Sequence, residues 1–186
     1  MSLPNPQPNN SHSRFITPAL VAMLAILAFP AHAFDLNSDA PITVNADTAR
    51  LDDSQGIATY TGDVVVTQLN TKLTADRVVL YRGDTGLNRI EATGQPARYF
   101  QPSGNLGEAT DARARIITYS APDHRLTLEQ EAVIEQGGNL FRGERIHYDT
   151  ENRVVTAEGA TSGSEGQGRV EMVIQPRNRP LSEPRN

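Results

Sequence analysis

Histidine is the side chain that most often binds metals or moves protons near neutral pH, and the chain contains four. His12 and His32 fall in the N-terminal segment 1–33, whereas His124 and His147 lie in the body of the chain. Neither of the latter two stands at a metal-ligand spacing, and the chain has no cysteine to complete a site. We therefore expect structural or surface roles for His124 and His147.

The acidic and glycine-rich segments do not form recognisable catalytic or ion-binding motifs. Asp47, Asp52 and Asp53 lack the Asp-x-Asp-x-Asp-Gly pattern of a calcium loop, so we interpret them as solvated turn carboxylates. Residues 163–168, Gly-Ser-Glu-Gly-Gln-Gly, resemble a phosphate loop only superficially, because no strand–loop–helix pattern surrounds them. We interpret them as a flexible hairpin. Neither a Gly-x-Ser-x-Gly elbow nor a Gly-x-x-x-x-Gly-Lys-Ser/Thr loop occurs. The sequence predicts no catalytic residue, no metal and no cofactor.

The chemistry that remains is apolar contact, and the elements that would organise it are β-strands. Short runs, many alternating with period two, are separated by Gly, Asp, Asn and Pro, and no segment has helical periodicity. This pattern predicts an all-β fold. The predicted strands are residues 42–46, 57–60, 63–68, 73–81, 89–92, 97–101, 112–119, 125–128, 132–136, 140–148, 154–157 and 169–174.

An internal repeat allows the faces of these strands to be assigned. Three units each combine two strand motifs, beginning at residues 62–68, 94–101 and 130–136, at irregular intervals typical of a stacked or rolled β structure. Because successive strand side chains point to opposite sides, charged positions such as Arg98 and Glu131 define the outer face. The apolar residues assigned to the inner face are Ile42, Val44, Tyr60, Val64, Val66, Val78, Leu80, Tyr99, Ile117, Tyr119, Ile134, Ile146 and Tyr148. Tyr99, Tyr119 and Tyr148 would face inward in an ordinary core as well as in a ligand-binding trough. The residues alone therefore leave both roles open.

The two ends of the chain differ in composition from the predicted β-strand region. Residues 1–33 combine Arg14, an apolar run over 19–29 and an Ala-x-Ala pattern at 31–33, which predicts a cleaved signal peptide and a mature chain from Phe34. The apolar run is shorter than the roughly 20 residues that span a bilayer, although an uncleaved anchor is the alternative. We expect one domain over residues 34–175 and a disordered, Pro-rich, basic tail over 176–186.

The charge balance excludes one class of partner. The chain has a formal net charge of −5, and removal of Arg14 with the leader makes it more negative. Proteins that bind nucleic acid obtain most of that affinity from Lys and Arg that neutralise phosphates, so we expect no nucleic-acid partner.

Five motifs, in this order and with the leader, resemble one known family. They are residues 41–47 (Pro-Ile-Thr-Val-Asn-Ala-Asp), 60–68 (Tyr-Thr-Gly-Asp-Val-Val-Val-Thr-Gln), 75–80 (Ala-Asp-Arg-Val-Val-Leu), 94–99 (Gly-Gln-Pro-Ala-Arg-Tyr) and 141–148 (Phe-Arg-Gly-Glu-Arg-Ile-His-Tyr). Together they resemble the OstA-like family of periplasmic lipopolysaccharide-transport proteins, over about residues 41–176. The Gly-rich segment 159–168 and the tail depart from the family pattern.

The resemblance implies a twisted, V-shaped, partly open antiparallel β-jellyroll that is not an enzyme. It implies a periplasmic carrier that stacks head to tail with like subunits, with inner-membrane LptC and with the periplasmic N-terminal domain of outer-membrane LptD. These assemblies form a bridge that passes lipopolysaccharide to the outer membrane. The inward residues would then line an apolar trough for the acyl chains of lipid A, with strands 42–46 and 169–174 as the joining ends.

Two other functions stay open at this stage. A membrane-anchored relative would retain the N-terminal segment, so the mass of the mature protein discriminates. A carbohydrate-binding or structural β-module would expose a strip of aromatic residues, which are only 5% of this chain. The absence of a nucleotide-binding loop implies that any energy for directional transport comes from a partner.

Overall fold

The computed structural model describes residues 40–84, 86–104, 108–160 and 168–176. These residues form ten β-strands and no helix, and therefore no helix able to cross a membrane. The strands are β1 (Thr43–Asn45), β2 (Thr48–Asp52), β3 (Ile57–Gln68), β4 (Thr71–Gly83), β5 (Gly86–Gln101), β6 (Thr110–Ser120), β7 (Arg125–Gln136), β8 (Asn139–Asp149), β9 (Val154–Glu158) and β10 (Glu171–Val173). The predicted all-β class is confirmed.

All ten strands belong to a single antiparallel sheet in which β3 to β8 pair in sequence order. Each end of this sheet is shared by two short strands. At one end β1 pairs with the second half of β3 and β2 with its first half. At the other end β10 pairs with the first half of β8 and β9 with its second half. The described parts of the two ends do not pair with each other, so the sheet is open.

Every long strand carries an irregularity at the same level of the sheet, which we call the bulge line. The register shifts between Thr61 and Val64 in β3, and the shift continues across each neighbouring pair as far as Glu129 and Ala132 in β7. Bulges bend a strand and increase its twist without ending it. The sheet is therefore divided into two halves that the same strands cross.

The bulge line corrects three predicted strand boundaries. Predicted strands 57–60 and 63–68 are one strand, β3; 89–92 and 97–101 are one strand, β5; and 125–128 and 132–136 are one strand, β7. Gly62 lies at the first of these junctions, between predicted strands 57–60 and 63–68. Its φ is +85°, and a Cβ there would collide with the Asp47 side chain. Glycine at this position permits a bulge rather than a turn.

One hydrogen bond shows how far the sheet bends. The Gln136 side-chain amide donates to the Tyr148 hydroxyl over 2.8 Å. Gln136 pairs with Asn139 at the start of β8, whereas Tyr148 lies nine positions along that strand. A straight strand would separate Asn139 from Tyr148 by roughly 30 Å. The hydrogen bond therefore requires β8 to fold back at the bulge line, so that the two halves of the sheet face each other.

Some predicted segments lie outside the residues that the structure describes, and two predictions about strands need correction. The predicted signal peptide 1–33 lies outside the described residues. So do residues 177–186 of the predicted tail and residues 163–167 of the predicted hairpin. The predicted strand 169–174 is shorter than expected, since β10 covers only Glu171–Val173. β2 was not predicted at all, because four of its five residues are exposed and it lacks an alternating apolar pattern.

Candidate functional site

The inner face of the bent sheet is a continuous apolar interior. Nine of the thirteen residues assigned to this face are at most 4% exposed, and the other four are partly buried against them. The nine are Val64, Val66, Val78, Tyr99, Ile117, Tyr119, Ile134, Ile146 and Tyr148, and the four are Ile42, Val44, Tyr60 and Leu80. All thirteen side chains therefore lie in or against the interior, whereas their contact with a lipid stays a prediction.

Cross-strand pairing arranges these side chains in rows that run across the sheet. On one side of the bulge line, the row that contains Tyr99 crosses seven strands. Its members are Val44, Val66, Leu73, Tyr99, Ala112, Ile134 and Phe141. Between this row and the bulge line, small residues predominate at the inward positions. They are Val64, Ala75, Ala97, Ala114, Ala132 and Gly143.

Two further rows lie on the other side of the bulge line. The row that contains Ile117 comprises Ala49, Tyr60, Val78, Ala92, Ile117, Leu128, Ile146 and Ala157. The row that contains Tyr119 comprises Leu51, Ala58, Leu80, Ile90, Tyr119, Leu126, Tyr148 and Val155. Because the sheet folds at the bulge line, these rows face the Tyr99 row across the interior, and they form a path of apolar side chains from one edge of the sheet to the other.

Sequence reasoning missed several members of the interior. Leu73, Ile90, Leu126 and Leu128 are each at most 3% exposed and belong to the same cluster. The same alternation identifies them within their own half-strands, because Leu73 lies two positions from the buried Ala75, Ile90 two positions from the buried Ala92, and Leu126 and Leu128 two positions from each other. The predicted inner face was therefore incomplete.

The outer face carries the charged residues that the alternation assigned to it. Arg98 forms a two-pronged ion pair with Asp111, at 2.6 and 2.9 Å, and this pairing raises the pKa of the Arg98 guanidinium. Arg145 donates two hydrogen bonds to a single carboxylate oxygen of Glu129, at 2.8 and 3.0 Å. Exposed pairs of this kind contribute little to stability, commonly under about 1 kcal/mol. Their main consequence is an outer surface that stays in water while the inner surface is apolar.

The candidate polar sites have ordinary structural partners. The His147 Nδ1 lies 3.2 Å from the Thr127 hydroxyl on the outer face, and the His124 carbonyl accepts hydrogen bonds from Thr150 in the next turn. Asp52 accepts a hydrogen bond from the Ser54 hydroxyl, which lowers the pKa of its carboxyl. In the part of the chain that the structure describes, His, Asp and Glu do not gather in groups of three that would hold a metal. The predicted absence of catalysis and of cofactors remains a prediction.

Comparison with known proteins identifies the family. A family model described as LptA/(LptD N-terminal domain) LPS transport protein matches residues 43–154, which span the sheet from β1 to the start of β9. The chain belongs to this family. The resemblance drawn from the five motifs is thus confirmed, and LPS here denotes lipopolysaccharide.

Individual members of the LptA/LptD N-terminal domain family match most of the chain. The lipopolysaccharide export system protein LptH of Pseudomonas aeruginosa is 40% identical over 167 residues, which cover 88% of this chain and 92% of LptH. LptA of Escherichia coli K12 is 31% identical over 131 residues, covering 69% of this chain and 70% of LptA. The crystal structure of Pseudomonas aeruginosa LptH, the LptA-homologous periplasmic component of a lipopolysaccharide transport device, matches with a TM-score of 0.68 at 40% sequence identity. It covers 79% of this chain and all of that one. This likeness confirms the predicted antiparallel jellyroll fold.

Proposed function

We propose that this protein is a non-enzymatic periplasmic carrier of lipopolysaccharide, which holds the acyl chains of lipid A between the two facing halves of its sheet. The observation that carries the proposal is the apolar interior, which runs without interruption from β1 to β9 in a sheet that is open at both ends. Membership of the LptA/LptD N-terminal domain family supports the choice of ligand.

The energetic reason for such a carrier is the cost of exposing acyl chains to water. Each exposed methylene costs about 0.8 kcal/mol, so a lipid with several chains crosses an aqueous compartment only if protein covers them. The interior offers branched aliphatic and tyrosine side chains to cover them. The sugars and phosphates stay outside in solvent, which is compatible with a protein of net charge −5.

Entry of the acyl chains requires the two halves of the sheet to separate, because side chains fill the interior in this structure. Tyr99, Ile134 and Ile146 are at most 1% exposed. The Gln136–Tyr148 hydrogen bond joins the two halves at the side opposite the bulge line, so it must break when they separate. Separation exposes apolar side chains, and the incoming acyl chains cover them again. The ligand thus offsets the cost of opening.

The two split edges supply the surfaces for assembly. We propose that the β9–β10 edge of one subunit pairs with the β1–β2 edge of the next, which places their apolar interiors end to end. Unpaired backbone groups at a sheet edge are a template for strand addition. Like edges on LptC and on the periplasmic N-terminal domain of LptD would join the two ends to the inner and outer membranes. A cleaved signal peptide, residues 1–33, would export the chain to the periplasm. The energy for transport would come from a partner protein.

Site-specific photo-crosslinking tests the carrier role. A photoreactive residue at Tyr99 or Tyr119, both inside, is expected to capture lipopolysaccharide. The same residue at Arg98 or Thr118, their neighbours on the outer face, is expected to give little or no product. The comparison is matched because each pair differs only in face. Equal capture at inner and outer positions would refute lipid binding in the interior, and a purified protein that captures none at any position would refute the carrier itself.

A further inference from the structure

The inner face ends in a row of uncharged polar residues, which we call the rim row. It lies beyond the Tyr99 row, on the side away from the bulge line, and has one residue from each strand from β3 to β8. Its members are Gln68, Thr71, Gln101, Thr110, Gln136 and Asn139. Gln68 pairs with Thr71, and Gln101, Thr110, Gln136 and Asn139 pair in succession. The pairing of Lys72 with Phe100 places Thr71 beside Gln101 and makes the row continuous.

The rim row is not a solvent-exposed border. Gln68 and Thr71 are 3% exposed and Thr110 is 1% exposed, and all six positions have the inward alternation of the apolar rows behind them. Burial of an amide or hydroxyl costs free energy unless it is hydrogen-bonded, so an apolar side chain would stabilise the fold more simply. None of the six is charged. The row therefore places neutral donors and acceptors where the apolar interior opens.

The hydrogen bonds of the rim row are of a kind that a ligand can replace. The Gln136 amide donates to the Thr110 hydroxyl at 3.1 Å as well as to Tyr148, and the Tyr99 hydroxyl donates to the Gln101 side-chain carbonyl at 3.3 Å. Neutral hydrogen bonds contribute only about 0.5–1.5 kcal/mol net, and amides and hydroxyls exchange partners without a change of protonation. Separation of the two halves of the sheet breaks the Gln136–Tyr148 bond and frees that amide for another acceptor.

We propose that the rim row binds the amide, ester and hydroxyl groups through which acyl chains are attached to a sugar headgroup. These groups are neutral, and they occupy the boundary between the hydrocarbon and the sugar. The chemistry of the row matches them: carboxamides and hydroxyls both donate and accept, without the charge that a phosphate site needs. This inference rests on the proposed carrier function and adds a basis for selectivity. The interior accepts hydrocarbon in general, and the rim row favours lipids with polar linkages at the right depth.

The test measures the binding of two ligands to a double variant of the rim row and to a control variant. Gln101→Leu with Thr110→Val removes one cross-strand polar pair of the rim row at nearly constant volume and leaves the Gln136–Tyr148 hydrogen bond in place. The probes are purified lipopolysaccharide and palmitate, whose chain has no amide, ester or hydroxyl group. Affinity for lipopolysaccharide is expected to fall about tenfold, and affinity for palmitate to stay within about twofold. Thr127→Val, which removes a hydroxyl from the outer face of β7, is expected to change neither affinity.

The outcomes separate this inference from the carrier proposal. Unchanged lipopolysaccharide affinity, or an equal fall for both probes, would overturn the role of the rim row. Failure of the unaltered protein to bind either probe would overturn the carrier function on which it rests. If the double variant does not fold, Gln101→Leu at a half-buried rim position provides the same comparison, with thermal unfolding as the check of integrity.

Discussion

Replacement of Ile134 by alanine is expected to lower the free energy of unfolding by about 3 kcal/mol, which is a large fraction of a typical domain's stability. Ile134 is 0% exposed and lies between Ala112 and Phe141 in the Tyr99 row. The substitution leaves a cavity with small neighbours on one side, and the paired strands prevent the backbone from collapsing into it. Urea unfolding followed by circular dichroism measures the change, with the slope expected to stay constant.

Val133→Ala is the matched control for this substitution. Val133 is the preceding residue of the same strand, and it faces outward between Arg113 and Arg142. Since it is only half-buried, its truncation is expected to cost less than about 1 kcal/mol. Similar losses at both positions would mean that the outer face is packed as tightly as the inner one, and the assignment of the interior would be wrong.

A pair of lysines at the C-terminal edge is expected to weaken self-association at least tenfold, which corresponds to about 1.4 kcal/mol. The variant combines Val155→Lys in β9 with Met172→Lys in β10. Val155 ends the Tyr119 row, and Met172, 51% exposed, extends the Tyr99 row beyond Phe141. Inward-pointing charges on edge strands block strand addition, and here they also lie where two apolar interiors would join. Both halves of the edge are changed because either short strand alone could retain pairing.

Sedimentation velocity over a range of concentrations measures this association. Thr93→Lys with Thr118→Lys adds the same charge to the outer face in the middle of the sheet, and this control is expected to associate as the unaltered protein does. Circular dichroism and thermal unfolding at low concentration establish that each monomer folds. Oligomers of unchanged size in the edge variant would show that the subunits join elsewhere.

The inward and outward assignment could be made from the sequence because burial alternates along each half-strand, with Val79, which is 4% exposed beside the inward Val78, as an exception. Ala97 and Tyr99 point inward while Arg98 points outward, and no tertiary information is needed to see this. Three repeats with the same pattern fixed the phase at positions where one strand alone was ambiguous. The resemblance to a family came from the same motifs, and it supplied the jellyroll topology that alternation cannot give.

The continuity of the strands could not be predicted in the same way. Gly62 and the Gly94–Pro96 segment have the composition of turns, yet pairing on both sides keeps β3 and β5 unbroken. Whether such a segment ends a strand or bends it depends on neighbours distant in sequence. The same reason explains β2, whose exposed residues are held by their pairing with β3 rather than by any apolar pattern of their own.

The bulge line also determines which changes in chain length this fold tolerates. Deletion of one residue from β5 between the bulge line and Gln101 reverses the facing of every side chain from that point to the turn, so that Arg98 would point inward and Tyr99 outward. Deletion of two residues preserves the facing and shortens only one half of the strand. On the other side of the bulge line nothing changes in either case. Each half of the sheet can therefore lengthen or shorten on its own without reversing its facing, in steps of two residues.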